Sequence, residues 1–169
     1  DDKIYLFGKD SSTPLWTYTS GDNVNAVGIS SDGEYIAVGS YDNKIYLFGK
    51  ESSNPLWSYD TGGDVHSIAL SADGQYIAAG SDNDNIYLFD KDSSTPLWNY
   101  TTAGNVDSVA ISADGKYVTA GSDDEIVYFF DKNSSTPLWT YTSGDIVKAV
   151  AISANGKHLV AGSYDAKTY

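Results

Sequence analysis

Residues 65–102 read VHSIALSADGQYIAAGSDNDNIYLFDKDSSTPLWNYTT, and their reading decides the fold. Val65 to Ser71 predicts a first strand, with Val65, Ile68 and Leu70 set among small residues. Ser71-Ala72-Asp73-Gly74 predicts a tight reversal, because Asp can bond its own backbone two residues on and Gly accepts a positive φ. Tyr76 to Ser81 predicts a second strand that ends at the polar run Asp82-Asn83-Asp84-Asn85. Ile86 to Asp90 predicts a third, with Ile86 and Leu88 on one side and Tyr87 and Phe89 on the other. Pro96 lacks a ladder donor and suits a strand start, so Leu97 to Thr101 predicts the fourth, carrying Trp98 and Tyr100. No apolar stripe of helical period interrupts the pattern, and the unit reads as a four-stranded antiparallel meander.

The rest of the chain is this unit written again. Trp16, Trp57, Trp98 and Trp139 stand 41 residues apart (57−16, 98−57, 139−98). Tyr5, Tyr46, Tyr87, Tyr128 and Tyr169 keep the step, as do Phe7, Phe48, Phe89 and Phe130, and Pro14, Pro55, Pro96 and Pro137. A fixed period of this size means a solenoid, propeller or array, and four strands per repeat select an all-β propeller. The phase of the repeat divides the single domain, 1–169, into a half-blade 1–20, blades 24–61, 65–102 and 106–143, and a half-blade 147–169. The first segment supplies only third and fourth strands. The last supplies a first and a second, and Lys167-Thr168-Tyr169 begins another third. The ends thus carry complementary halves of one blade, four blades per chain in all, and pairing them would remove two open sheet edges.

Composition narrows the function classes. An aromatic fraction of 14% excludes a disordered chain, and no apolar run approaches the ~20 residues of a spanning helix. A soluble chain without membrane insertion is expected. Net charge is −13 and every basic residue is Lys, so both the phosphate-neutralising field and the bidentate guanidinium are missing and nucleic-acid binding is not expected. Without Cys there is no disulfide framework, thiolate catalysis or thiolate metal site. Without Met the chain does not begin at an initiator residue, which suggests processing or a longer parent, with an extracellular or cell-surface protein as one reading.

Two related propeller families are suggested by particular residues. Ala-Gly-Ser-x-Asp (Ala120 to Asp124), Ile-Tyr-Leu-Phe-Asp (Ile86 to Asp90) and the Ser-Ala-Asp-Gly turn resemble WD-repeat blades, although the Trp-Asp pair expected near Leu88-Phe89 is missing. The Pro-Leu-Trp-x-Tyr ending resembles the tryptophan-docking end of pyrroloquinoline-quinone-like (PQQ-like) blades. The resemblance implies a propeller, and the families are mostly interaction scaffolds. It does not bring the quinone cofactor with it, since that requires a specific Ca²⁺ cage and a longer chain. No cofactor is expected.

Candidate chemical sites mostly have structural readings. Asp32-Gly33, Asp73-Gly74, Asp114-Gly115 and Asn155-Gly156 are expected hairpin turns rather than cation ligands. Asp82-Asn83-Asp84 and Asp123-Asp124-Glu125 cluster oxygens but lack the spacing of a Ca²⁺ loop, so solvated turns are expected. His66 and His158 are isolated, His158 standing where Tyr35, Tyr76 and Tyr117 stand in other copies. No enzyme is predicted. The four Trp are expected to pack between blades rather than to stack on a ligand.

Differences between copies are more informative. The loop from third to fourth strand barely changes (Asp10 to Thr13, Glu51 to Asn54, Asp92 to Thr95, Asn133 to Thr136). Three sets do change: Asn25, His66, Asp107 and Lys148; Tyr41, Asp82, Asp123 and Tyr164; Asn43, Asp84, Glu125 and Ala166. In a propeller these lie on one rim, which makes them the expected binding face of a non-enzymatic scaffold for a protein or extended ligand. The rival readings are a small-ligand, sugar or Ca²⁺ site at the central channel, and a purely structural repeat of a larger surface protein. Small residues on the innermost strands, such as Ala69 and Ala110, allow close approach of blades. A homodimer closing an eight-bladed ring is therefore expected ahead of a closed four-bladed monomer.

Overall fold

The computed structural model describes residues 2–165 and Thr168. β1 (Lys3–Phe7) and β2 (Pro14–Thr19) form a two-stranded antiparallel sheet. Three four-stranded antiparallel meanders follow. They are β3 (Val24–Ile29), β4 (Tyr35–Ser40), β5 (Lys44–Gly49) and β6 (Pro55–Asp60); β7 (Val65–Leu70), β8 (Tyr76–Ser81), β9 (Asn85–Asp90) and β10 (Trp98–Thr101); and β11 (Val106–Ile111), β12 (Tyr117–Ser122), β13 (Ile126–Asp131) and β14 (Trp139–Thr142). β15 (Val147–Ile152) and β16 (Leu159–Ser163) make a second two-stranded sheet. The chain is all-β, and its sheets stack as the blades of a propeller. No helix among the described residues is long and apolar enough to cross a membrane. The third strand expected at residues 167–169 lies outside the described residues except for Thr168, which bridges Gly162.

Strand position within a blade dictates composition. The middle strands are covered on both faces, so Ile36-Ala37-Val38 and Ile45-Tyr46-Leu47-Phe48 are buried runs rather than alternating ones. The outer strand alternates: on β6 Trp57 and Tyr59 turn inward while Leu56 stays 57% exposed. Innermost strands meet in succession, β3 with β7, β7 with β11 and β11 with β15. A glycine on the second strand of each preceding blade permits this. A Cβ on Gly39 would lie 2.5 Å from Val65 Cγ1, and one on Gly80 or Gly121 would lie 2.6 Å from Val106 or Val147.

The sequence-predicted interblade packing of the tryptophans holds for three of them. Trp57 leans on Phe89 of the next blade with ring centroids 5.4 Å apart and donates its indole N–H to the Lys91 carbonyl at 2.7 Å. Trp16 does the same with Phe48 and Lys50, and Trp98 with Phe130 and Lys132. Trp139 differs: it is 42% exposed and stacks on Phe129 of its own blade. Pro14 and Pro55 begin strands as expected, whereas β10 and β14 begin at Trp98 and Trp139, past Pro96 and Pro137.

The Ser-x-Asp-Gly turns are hairpin turns, as their composition predicts. Gly74 takes φ 69° and its N–H bonds the Ser71 carbonyl at 2.9 Å. The Asp73 carboxylate accepts the Ser71 hydroxyl at 2.6 Å and the Gln75 N–H at 3.0 Å. A backbone ladder joins these turns across blades: Ser31 N–H to Ala72 O, Ala72 N–H to Ala113 O, and Ala113 N–H to Ala154 O, at 2.8 to 3.0 Å.

Two measurements follow from this packing. Trp57→Ala and Trp98→Ala should each cost about 3 kcal/mol in chemical denaturation, each losing one interblade ring contact and one indole hydrogen bond. A cost under about 1 kcal/mol would mean the indoles do not hold the blades together. The turns make acid stability testable. Asp32, Asp73 and Asp114 are held below the ordinary carboxylate range, first by the serine hydroxyl and then by a backbone N–H. A folded-state pKa below the unfolded one means stabilisation that is present above the ordinary carboxylate pKa of about 4 and is lost as pH falls below it. Asn155 makes the same two bonds without titrating. Asp73→Asn and Asp114→Asn should therefore flatten the fall in denaturation midpoint between neutral pH and pH about 3; an unchanged acid limb would rule out these turns as its source.

Candidate functional site: a bulge-built polar strip

Each pairing of a first with a second strand slips by one residue at the same place. Val24 faces Ser40 but Ala26 faces Gly39; Val65 faces Ser81 but Ser67 faces Gly80. The slip recurs between Val106 and Ser108 and between Val147 and Ala149. The residues carried at these bulges are Asn25, His66, Asp107 and Lys148, the first of the three sets at which the copies differ. A bulge places one residue outside the ladder and re-aims its side chain. The framework is thus identical in every copy, and the chemistry projected from it is different each time.

The second variable set adjoins the first, because the turn after the second strand abuts the loop before the first. Asp42 in that turn accepts the Gly21 N–H at 2.7 Å. His66 Nε2 lies 2.5 Å from Asp82 Oδ1, an ion pair when the imidazole is protonated. The Tyr41 ring meets the His66 ring edge-on at 5.6 Å, and Asn25 Nδ2 donates to the His66 carbonyl at 2.9 Å. Lys148 Nζ donates to Asp107 Oδ2 at 2.6 Å and Asp123 Oδ1 at 2.8 Å, and stands 5.9 Å from the Tyr164 ring centre. Tyr164 itself is 67% exposed. These contacts make two clusters across blades, one of Asn25, Tyr41, His66 and Asp82 and one of Asp107, Asp123, Lys148 and Tyr164, which together are called the strip below.

The strip has its own electrostatics. Burial, and then the neighbouring Asp123, push the Asp107 carboxyl above its ordinary value. Asp123 is held low, first by the hydrogen bond with Asp107 and also by Lys148. Burial alone would lower the Lys148 ammonium, but its bonds to the two carboxylates outweigh that and raise it. Two close carboxylates are tolerated because one cation lies between them.

The third variable set belongs elsewhere. Asn43, Asp84 and Glu125 have φ of 68°, 63° and 70°, the left-handed position of each second turn. Their carbonyls accept the N–H of Thr61, Thr102 and Ser143. These three shape the turn backbone, and their side chains are not joined to the strip. Ala166, the fourth member, lies outside the described residues. The expectation of merely solvated turns also needs correcting. Asp124 accepts the Ala103 N–H at 3.0 Å and the Tyr128 hydroxyl at 2.6 Å, and Asp42 accepts the Tyr46 hydroxyl. Burial, then these carboxylates, push both phenols up. Asn83 takes the same place by donating to the Thr61 carbonyl and to Tyr87 Oη. These tethers lock the turns that carry Tyr41, Asp82 and Asp123. The Asp-x-x-x-Tyr spacing (Asp42 to Tyr46, Asp124 to Tyr128) was the available signal for them. Among the described residues no group of three or more His, Asp or Glu is arranged to hold a metal ion.

Comparison with known proteins supports the PQQ-like side of the resemblance and not the WD-repeat side. No curated protein matches the chain. The model of the PQQ-like family described as outer membrane protein assembly factor BamB matches residues 1–152, so the chain belongs to this family of PQQ-like propellers.

Proposed function

We propose that the chain is a non-enzymatic propeller scaffold that holds an extended protein segment along the bulge-built strip. The carrying observation is that the bulged residue changes in every copy, on a ladder that keeps its register. Membership of a family described as an assembly factor supports an interaction role. Charge favours a basic partner: Asp82, Asp107 and Asp123 against Lys148 leave the strip acidic, on a chain of net charge −13. Tyr41 and Tyr164 supply flat, amphipathic contact area at the two ends.

Selection from a displayed library of random peptides should return Lys- or Arg-bearing sequences whose affinity falls as salt rises. Tyr41→Ser combined with Tyr164→Ser should weaken the selected peptide by at least about tenfold in titration calorimetry, or about 1.4 kcal/mol. The melting temperature should stay within about 2 °C of the parent. Strong destabilisation of the double variant would make these tyrosines structural. Heat from glycans or Ca²⁺ in the absence of peptide binding would favour a ligand site at the central channel instead.

A further inference from the structure

The turn between β15 and β16 departs from its three counterparts at one atom. Asn155 stands where Asp32, Asp73 and Asp114 stand in the other copies. It is also the one asparagine of the chain that precedes a glycine; Val, Ala, Lys, Pro, Asp, Ile, Tyr or Ser follows the others. A glycine nitrogen has no side chain beside it to hinder its approach to the amide of the preceding residue. Asn155 is exposed to water. So are Asp73 and Asp114, whose turns have a blade on either side, so the exposure belongs to the turn itself and not to its place along the chain.

The bonds of the turn polarise this amide. Asn155 Oδ1 accepts the Ser153 hydroxyl at 2.9 Å and the Lys157 N–H at 3.1 Å. Two donors on a carbonyl oxygen draw electron density from Cγ and hold the charge that the oxygen gains when a nucleophile adds. The Gly156 N–H donates to the Ser153 carbonyl at 2.8 Å, so its nitrogen is released by opening that single bond, a fluctuation local to the turn. In the other three copies the same place holds a carboxylate, and the serine hydroxyl approaches it to 2.6 Å each time. Charge on the acceptor shortens and strengthens such a bond. The frame therefore fits the acid better than the amide.

We infer that Asn155 is a self-modifying site, where the side-chain amide hydrolyses through a cyclic imide to the aspartate that the other three turns carry. The Gly156 nitrogen adds to Asn155 Cγ and gives up its proton to solvent base. The Cγ–Nδ2 bond then breaks and ammonia leaves. Water, the only co-reactant, opens the imide, and no electrons change hands. Attack at Cγ restores the main chain and leaves a side-chain carboxylate. Attack at the main-chain carbonyl instead leaves an isoaspartate, whose backbone runs through Cγ and is longer by one carbon. That product does not fit the turn: a Cβ on Gly156 would lie 2.4 Å from Tyr117 Cδ2, so the glycine has no room to shift toward the ring. Both products can re-form the imide, but only the aspartate regains the bonds of the turn, and it accumulates. The new charge stands two residues from Lys157, the relation in which Lys116 already favours the Asp114 carboxylate.

Incubation of the folded chain in mildly alkaline buffer should build up a single more acidic species on isoelectric focusing, its net charge moving from −13 to −14. Peptide mapping should place the change at residue 155, with aspartate in excess of isoaspartate. Asn155→Gln lengthens the side chain and disfavours the imide, so it should keep the parent's circular dichroism and form no such species. Asn155→Asp makes the product directly. It should unfold at a higher denaturant midpoint than the parent at neutral pH and lose that advantage as pH falls below about 4. A species that forms only in denaturant, maps to another asparagine, is mostly isoaspartate or persists in Asn155→Gln overturns the inference. So does an Asn155→Asp midpoint no higher than the parent's.

Discussion

A valine methyl against a glycine backbone sets the distance between successive blades. At Gly39, Gly80 and Gly121 no side chain larger than hydrogen fits, because Val65, Val106 and Val147 already occupy the space. This approach lets the turn ladder form at ordinary hydrogen-bond lengths and places Trp57 and Trp98 within reach of the Lys91 and Lys132 carbonyls. It also brings neighbouring first strands near enough for one blade's bulge to touch the next. Lys148 reaches Asp107 in the preceding blade because the blades stand that close. The strip and the core are thus consequences of a single separation, repeated along the chain.

Four kinds of contact cross each of the two boundaries between complete blades: the valine–glycine seat, the tyrosine over the turn, the indole bond and the amide ladder. None is large alone. Together they make each blade's stability depend on its neighbours, as in other repeat architectures. The burial of Phe48, Phe89 and Phe130 beneath the preceding blade's tryptophan and tyrosine shows where the apolar core sits, which is between sheets and not within any one of them.

The fold was legible in the sequence because its determinants are local and periodic. Asp73-Gly74 marks its own turn, Pro-Leu-Trp marks an outer strand, and the spacing of Trp16, Trp57 and Trp98 states the repeat. Copy-to-copy differences pointed at Asn25, His66, Asp107 and Lys148, but the bulge that projects them leaves no composition signal, since the slip lies in the pairing between strands. Asn43, Asp84 and Glu125 were grouped with them for the same variability, and only their positive φ separates turn shape from surface chemistry. Trp139 looked equivalent to the other tryptophans because equivalence in sequence says nothing of what lies opposite a ring. Asp124 reads as solvated for a related reason: a tyrosine four residues away is a common spacing, and only a folded turn makes it a tether.

The recurrent bulge has a consequence for how such a surface could diversify. Asn, His, Asp and Lys occupy the same backbone position without disturbing the register around it, so identity there is uncoupled from the frame. Blades with interchangeable boundaries could be duplicated, deleted or reordered, and each event would shuffle a row of side chains while leaving the packing rules intact. The order of the modules then acts as the inheritable variable, and a new specificity can arise by rearranging existing parts rather than by accumulating point changes.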